Sequence, residues 1–279
     1  MFGWQALRGC RDHRPDSRQS QVKTSNRNPV LKTLRALTWI VQENSRDVGV
    51  REMATGLGVS PSTAHRLLSE LVKADLLKHE PQTGRYSLSL EFLRLAYLAI
   101  AQTPVRQIAL SHMRQLTDAC NETSLLGLYD SMRQEMIFAA MVESSHPLRY
   151  SIDLNKWIPV YVGATGLAIM AFLSDAEISS IIDRTRLAPA TSKSITERFR
   201  LEAEIHRIRE RGYAITHGQR TPDAVGIAAP VFGSHGEVVG DICLTIPESR
   251  FDQSTESRIA ELLIRCAASV TKALGGSRR

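Results

Sequence analysis

Cysteine, aromatic residues and long apolar runs are all scarce in this sequence. Aromatic residues make up 6% of the 279 residues, and the four cysteines stand far apart without a CxxC pair: Cys10, Cys120, Cys243 and Cys266. This spacing does not fit a disulfide framework or a zinc ribbon, so we expect reduced thiols in a cytoplasm. The apolar stretch at residues 158–173 contains Pro159 and two glycines, and it is too short and too broken for a membrane span.

Motifs for catalysis and metal binding are lacking as well. The sequence has no HxxxH or HExxH pair, no GxSxG, no Walker loop and no Rossmann glycine pattern. We therefore predict no enzyme activity, no metal site and no cofactor. The alternative left open is thiol chemistry, either redox catalysis or thiol sensing, at Cys120 or Cys243. Cys266 lies on an apolar stripe of the last predicted helix, where core packing is the expectation.

The net positive charge is concentrated in the first third of the chain. The net charge is +6; residues 1–101 hold 15 Lys and Arg against 9 Asp and Glu, whereas residues 102–279 hold 20 of each. A chain of 279 residues is long enough for two domains, each with its own buried core. A basic first part joined to a neutral remainder indicates an anion-binding module attached to a domain with another task.

Residues 50–73 have the pattern of a helix-turn-helix. In the first half, Val50, Met53, Ala54 and Leu57 form one apolar face of a short helix that stops at Gly58. Ser60 is placed as an N-cap and Pro61 as the first residue of a second helix. The buried stripe of that helix has the same spacing and consists of Ala64, Leu67, Leu68, Leu71 and Val72.

The outward face of the second helix is short, polar and basic. Hydroxyl groups at a helix N-terminus can bind phosphate or base edges, and Arg66 one turn later can reach guanine or phosphate. A solvated surface on an ordinary helical hairpin is the alternative. The candidate DNA contacts on this helix are Ser60, Ser62, Thr63, His65, Arg66, Ser69 and Lys73.

Two short strands after the helices predict a β-hairpin wing. The strands cover residues 76–79 and 86–88, and Pro81 with Thr83 and Gly84 signals the turn. Thr83 and Arg85, near the tip, are predicted to touch phosphate or the minor groove, while Lys78 fits a DNA contact and a solvent-facing charge equally well. With a supporting helix from Pro29, the segments form a winged helix-turn-helix.

The predicted helix at residues 89–103 has no polar side. Leu90, Leu93, Tyr97 and Ile100 form one apolar stripe, and a second consists of Phe92, Leu95, Ala96 and Ala99. Such a helix needs a partner on each face, and we infer that these are its own chain and a second subunit.

Beyond Pro104 helices and strands alternate, which predicts an α+β domain. One strand is predicted at Leu148–Ile152, and two helices are predicted to begin with capping boxes at Ser174 and Ser194. The expected organisation is a flexible basic tail (1–27), the winged domain (28–88), the linker helix (89–103), the α+β domain (104–275) and a short tail (276–279).

These pieces, in this order, resemble the IclR family of bacterial transcription regulators. The resemblance covers residues 28–275 and rests on SPSTAHRLLSEL, EPQTGRYSL, HPLRY, the GATG segment at 163–166, RERGYA and GIAAPVF. It implies a homodimer or a dimer of dimers on operator DNA, with a GAF-like second domain that binds a small metabolite. A nonspecific architectural DNA binder, whose second domain only oligomerises, is the remaining alternative.

The resemblance also implies a set of residues that line the effector pocket. They map to Gly163, Ala164, Thr165, Gly166, Leu167, Thr216, Ala224, Gly226, Cys243 and Thr245. Relatives often have cysteine at 226, serine at 243 and 245, and lysine at 169. The loss of small polar donors favours a larger, partly apolar acid, such as an aromatic acid, over a two- or three-carbon oxoacid. Plain core packing is the alternative for each of these residues.

Overall fold

A computed structural model of the protein describes residues 28–43, 47–102, 104–150 and 152–277. The chain divides into two compact units, with the boundary between Gln102 and Thr103. The predicted basic tail at residues 1–27 and the last two residues lie outside the described ranges.

The first unit contains three helices packed around one small core. Asn28 caps the first helix and Ser60 caps the third, while Gly58 ends the second helix in a left-handed conformation at φ 65°. Met53, Leu68 and Leu71 are fully buried between the helices. The helices are α1 (Pro29–Gln42), α2 (Val50–Leu57) and α3 (Pro61–Lys73).

A two-stranded antiparallel wing completes the first unit, as predicted. Strand β1 (Leu77–Glu80) pairs with β2 (Arg85–Leu88), and Val48 adds a bridge to Tyr86 on the other side of β2. Helix α4 (Leu90–Ala101) follows and has no buried residue.

The second unit is a six-stranded antiparallel sheet with helices on both faces, which confirms the α+β prediction. The strand order is β5-β4-β3-β8-β7-β6. In chain order the elements are α5 (Pro104–Cys120), β3 (Thr123–Asp130), β4 (Glu135–Val142), β5 (Ile158–Pro159), α6 (Gly163–Met170), α7 (Asp175–Thr185), α8 (Arg198–Arg211), β6 (Ala214–His217), β7 (Ala224–Phe232), β8 (Val238–Pro247) and α9 (Glu256–Ala273).

Two apolar cores lie on opposite faces of this sheet. Helices α6, α7 and α8 cover one face, where Leu167, Ile181 and Leu201 are fully buried. Helices α5 and α9 cover the other face with Met113 and Leu263. Each strand therefore places alternate residues in one core or the other.

The sequence pattern did not predict helix α6. All eight of its residues are buried, so the stretch shows no polar side and no 3.6-residue alternation. Gly166 is required by packing, because a Cβ there would lie 2.5 Å from the carbonyl oxygen of Val160.

The strand predicted at Leu148–Ile152 is wrong for the residues described in that segment. They have no regular structure, and side chains from elsewhere bind the segment instead. The Leu148 carbonyl accepts a hydrogen bond from Arg250 at 3.1 Å, and the Tyr150 hydroxyl donates to the Asp223 carbonyl at 2.6 Å.

The capping box is confirmed at Ser174 and wrong at Ser194. Ser174 and Glu177 cap α7 reciprocally. Ser194 lies four residues before α8, accepts from the N–H groups of Ala190 and Thr191, and donates to the Gln219 carbonyl at 2.6 Å. Its hydroxyl therefore fastens a loop rather than a helix end.

Candidate DNA-contact surface and ligand pocket

Three hydroxyl groups cluster at the N-terminus of α3. The Ser60 Oγ accepts the N–H of Thr63 at 3.3 Å, and it lies 3.0 Å from the Ser62 Oγ and 2.9 Å from the Thr63 Oγ1. With the positive end of the helix dipole behind them, these groups form a site suited to a phosphate oxygen or a base edge.

The outward face of α3 leaves its central cation without a protein partner. Ser62, His65 and Arg66 are exposed, and the Arg66 guanidinium has no ion pair among the residues that the structure describes. Lys73, at the far end, is paired with Glu70 at 3.0 Å, and the Ser69 hydroxyl donates to the His65 carbonyl at 2.9 Å. Arg66 is therefore the side chain on this helix most available for a base or a phosphate.

Lys78 and Thr83 of the wing are exposed, whereas Arg85 forms ion pairs within the first unit. Gly84 takes a positive φ of 68° in the turn, and the Thr83 Oγ1 accepts the N–H of Arg85 at 3.4 Å. Lys78 lies on the exposed side of β1 and has no ion pair within the described chain.

Arg85 was predicted to touch phosphate or the minor groove near the wing tip, and in the structure its guanidinium is paired within the first unit. Its guanidinium folds back onto the carboxylates of Asp47 and Glu52, with a hydrogen bond of 3.0 Å to the Glu52 Oε2. Glu52 in turn accepts the N–H of Gly49 at 2.8 Å, the cap of α2. Hydrogen bonds from the Gly49 N–H and from Arg85 lower the pKa of Glu52. Arg85 thus attaches the wing to the start of the helix-turn-helix.

Eight of the predicted pocket residues line one cavity in the second unit. Its volume is about 40 Å³, little more than the space of one water molecule. The residues that meet there are Gly163, Ala164, Thr165, Thr216, Ala224, Gly226, Cys243 and Thr245. Gly166 and Leu167 do not line it, because Gly166 packs on the Val160 backbone and Leu167 lies in the core.

Arg220 is the main pocket residue that the sequence analysis missed. Its guanidinium carbon lies 4.6 Å from the centre of the Phe138 ring, and burial lowers its pKa. It has no salt bridge with a described residue. In the sequence Arg220 lies between Thr216 and Ala224, both predicted to line the pocket, and this position could have indicated it as a lining residue. Other lining residues missed were Phe138, Ile152, Gln219 and Thr221.

A buried carboxylate, also missed, lies beside the pocket. Asp241 is 0% exposed and faces the same side of β8 as the pocket residue Cys243, two positions on. No hydrogen bond of ordinary length reaches either carboxyl oxygen within the described chain. Burial raises the pKa of Asp241 well above its usual value, and Thr165 and the Gly127 backbone are close enough to oppose this rise. A charged residue inside the otherwise apolar run of β8 was the signal in the sequence.

The cysteines of this unit offer little thiolate. Burial raises the pKa of Cys243 and of Cys266 to about 12, and it raises the pKa of Cys120. Because the thiolate is the reactive form, these environments weigh against thiol chemistry. Within the described ranges, no three His, Cys, Asp or Glu side chains are grouped closely enough to hold a metal ion. In the same ranges no helix has the length and apolar character needed to cross a membrane.

A winged helix-turn-helix followed by an α+β domain with an internal cavity defines a class of two-domain DNA-binding transcription regulators. Two family profiles agree with this: the IclR helix-turn-helix domain matches residues 30–81, and the bacterial transcriptional regulator IclR C-terminal domain matches residues 97–272. The chain belongs to the IclR family.

Individual relatives are distant but aligned over most of their length. The transcriptional repressor IclR of Escherichia coli is 24% identical over 245 residues, 88% of this chain and 89% of the relative. An IclR-type regulator from Alicyclobacillus acidocaldarius has a similar structure, with a TM-score of 0.76, 25% identity, and coverage of 88% of this chain and 98% of that one. An IclR homologue from Microbacterium hydrocarbonoxydans, solved with 4-hydroxybenzoate, has a TM-score of 0.74 at 19% identity, covering 87% and 98%.

Proposed function

We propose that this regulator binds operator DNA as a homodimer or a dimer of dimers, and that a small organic acid in the pocket of the second unit changes this binding. The observation that carries the DNA-binding half is the exposed Arg66, which lies beside the hydroxyl cluster of α3 and has no ion pair with any residue that the structure describes. The contacts proposed on the helix are Ser60, Ser62, Thr63, His65, Arg66, Ser69 and Lys73, with Lys78 and Thr83 on the wing.

Arg66→Ala tests the recognition role of α3. Loss of a bidentate contact to guanine should weaken operator binding by about 1 to 3 kcal/mol and relax the preference for one base. The measurement is fluorescence anisotropy on operator variants, with random duplex as competitor. Arg200→Ala, an exposed arginine of α8 outside the DNA-binding unit, is the matched control.

Two other outcomes of this experiment have distinct meanings. An equal loss on every sequence would make Arg66 a phosphate contact. Wild-type protein that binds operator and random duplex with the same affinity would contradict the proposal and favour the architectural alternative.

The pocket offers two groups suited to a carboxylate. It opens at the first turn of α6, where Gly163, Ala164 and Thr165 line it and no side chain caps the helix N–H groups. Arg220 adds a half-buried cation that has no salt bridge with a described residue. The IclR homologue with 4-hydroxybenzoate supports an aromatic acid as the ligand type. Because the present cavity holds about 40 Å³, an acid of this size requires side chains of the lining to move, and Arg220, which lies over the Phe138 ring, is the flexible one among them.

Titration calorimetry with benzoate, 4-hydroxybenzoate, pyruvate and glyoxylate tests the choice of acid. We expect the aromatic acids to bind and Arg220→Ala to weaken them by about tenfold or more, through loss of a charge-assisted contact. Arg149→Ala, which removes an exposed cation outside the pocket lining, is the control. Binding of the two smallest acids alone would contradict the aromatic assignment.

Self-association is supported by the apolar surface of α4. Six large apolar side chains on this helix are exposed in the single chain: Leu90, Leu93, Leu95, Tyr97, Leu98 and Ile100. A contiguous apolar surface of this kind marks an interaction site. A second subunit is the partner that the family resemblance implies.

A further inference from the structure

A larger cavity lies on the other face of the sheet in the second unit. Its volume is about 290 Å³, against about 40 Å³ for the pocket beside α6, and the two share no lining residue. It is formed by the last turn of α5, the end of β8 and the first two turns of α9. This volume is close to the lower limit of about 300 Å³ for sites that hold small molecules.

Part of the cavity wall is apolar. Ile246, near the end of β8, is buried, while Phe251, Ile259 and Leu262 are half-buried and pack against the same core. All four side chains line the cavity. An occupant with an apolar body therefore gains free energy by covering this wall and removing it from water.

An ion pair forms a fixed part of the lining. Glu122 is 5% exposed, and its two carboxylate oxygens each accept a hydrogen bond of 2.7 Å from the Arg250 guanidinium. The remaining guanidinium nitrogen of Arg250 donates to the Leu148 carbonyl at 3.1 Å. The two charges offset each other, so this pair shapes the cavity and leaves ligand binding to other groups.

His146 of the lining has a free ring donor. Its Nε2 lies 3.3 Å from the Asn121 Nδ2, and the Asn121 Oδ1 accepts the N–H of Ser145 at 3.1 Å, which assigns the orientation of the amide. The amide nitrogen is a donor, so Nε2 accepts and the neutral ring carries its proton on Nδ1. That N–H has no acceptor among the residues that the structure describes.

Arg258 of α9 supplies a cation at the same cavity. Its side chain is exposed and has no hydrogen bond or ion pair within the described ranges. Burial raises the pKa of Cys120, another lining residue, and the charge of Arg258 is among the influences that oppose this rise. The remaining carboxylate of the lining, Asp252, accepts the N–H of Ser254 at 2.9 Å. Arg258 and His146 are thus the two donors that an anion would find without a partner.

We propose that this cavity is a second ligand site, which binds a carboxylic acid with an apolar body. The carboxylate binds Arg258, with the Nδ1–H of His146 as the second donor, and the apolar body covers the wall formed by β8 and α9. The site lies on the opposite face of the sheet from Arg220 and the pocket beside α6. It is therefore independent of the effector pocket in the proposed function.

Octanoate and octanamide test the charge requirement of this site. They have the same apolar tail and differ in the anionic group. By titration calorimetry on the full-length protein at neutral pH, we expect octanoate to bind about tenfold or more tightly than octanamide. Arg258→Ala should remove this preference without weakening octanamide. Arg265→Ala, an exposed arginine of α9 that is paired with Glu261 and does not line the cavity, is the control and should keep the preference.

A second variant tests the place of binding. Ala119 is exposed and lines the cavity, so Ala119→Trp introduces a large side chain there without entering the core. It should weaken octanoate and octanamide alike, by about tenfold or more, because it occupies the space of the apolar body. Gln115→Trp, at an exposed position one turn earlier in α5 and outside the lining, should leave both affinities unchanged.

The other outcomes overturn the inference in separate ways. Wild-type protein that does not bind octanoate, or binds the two probes equally, would contradict it. Octanoate binding that survives in both Arg258→Ala and Ala119→Trp would place the ligand elsewhere. Binding that is lost in Arg220→Ala and kept in Arg258→Ala would assign octanoate to the pocket beside α6. Operator binding and the binding of aromatic acids at Arg220 are measured independently, so failure of this site leaves the proposed function standing.

Discussion

At the scale of single residues, Arg220 and Asp241 distinguish the pocket from an apolar core. Asp241 is fully buried and Arg220 is half-buried, and the two are not joined by a salt bridge in the described structure. The sequence predicted Thr216, Gly226 and Cys243 through the family resemblance, and these residues do meet at one cavity. It could not place Arg220, because a loop arginine becomes a pocket residue only through the fold of the chain around it.

The buried carboxyl group of Asp241 predicts a pH-dependent stability. Its pKa is raised in the folded protein, so the folded state holds this proton more tightly than the unfolded chain. Wild-type stability should therefore fall as the pH rises above the ordinary carboxyl range, and Asp241→Asn should lack this component. We expect the stability difference in favour of Asp241→Asn to grow between about pH 4 and pH 8.

Calorimetric or chemical unfolding, followed at the transition of the second unit, measures this difference in the free energy of unfolding. Asp153→Asn, which removes an exposed carboxylate of the same unit, serves as the control for the loss of one negative charge. A stability difference between Asp241→Asn and wild type that stays constant with pH would contradict the assigned burial of the charge.

At the scale of elements, the helices with a strong apolar periodicity were predictable from the sequence, and the uniformly buried helix α6 was not. Helices α2 and α3 showed clear apolar stripes and caps, and both formed as predicted. Helix α6 is buried on every side, so its helical period is hidden in the sequence. The wing was predicted as a hairpin, but the ion pairs of Arg85 with Asp47 and Glu52 depend on contacts between segments more than 30 residues apart.

On the paired strands β3 and β8, the missing side chain of Gly127 leaves room for the Asp241 carboxyl group. Gly127→Ala tests this packing. The added methyl group would collide with the Asp241 carboxyl group, and such overpacking should destabilise the second unit by about 1 to 3 kcal/mol. The double variant Gly127→Ala/Asp241→Ala removes the obstacle and should recover most of the loss. A double-mutant cycle by chemical unfolding measures the coupling. Additive effects of the two substitutions would show that the two positions do not share this space.

The exposed stripe of α4 predicts the oligomeric state. In Leu93→Glu/Tyr97→Glu, charges replace two apolar side chains that are 43% and 72% exposed in the single chain. Burying these charges in an interface is costly, so the variant should shift the particle mass towards the monomer in sedimentation equilibrium. Arg94→Ala, on the same helix, should leave the mass unchanged. An unaltered mass in the double variant would place the dimer interface elsewhere.

At the scale of the whole molecule, the charge asymmetry in the sequence corresponds to two structural units with different tasks. The first unit carries the exposed helix face suited to DNA, and the second contains a small cavity bordered by Arg220. In the proposed function the two units are coupled, so that occupancy of the cavity alters the affinity for the operator. That coupling is the central claim of the proposed function.

Footprinting on the DNA upstream of the protein's own and neighbouring genes, with and without benzoate and 4-hydroxybenzoate, tests this claim most directly. The account predicts two protected half-sites whose centres lie about one helical turn, or a multiple of it, apart. It also predicts that at least one of the acids changes the protein concentration required for protection, and that Arg220→Ala reduces this response. Protection of a single asymmetric site, or protection that no acid alters in the wild-type protein, would contradict it.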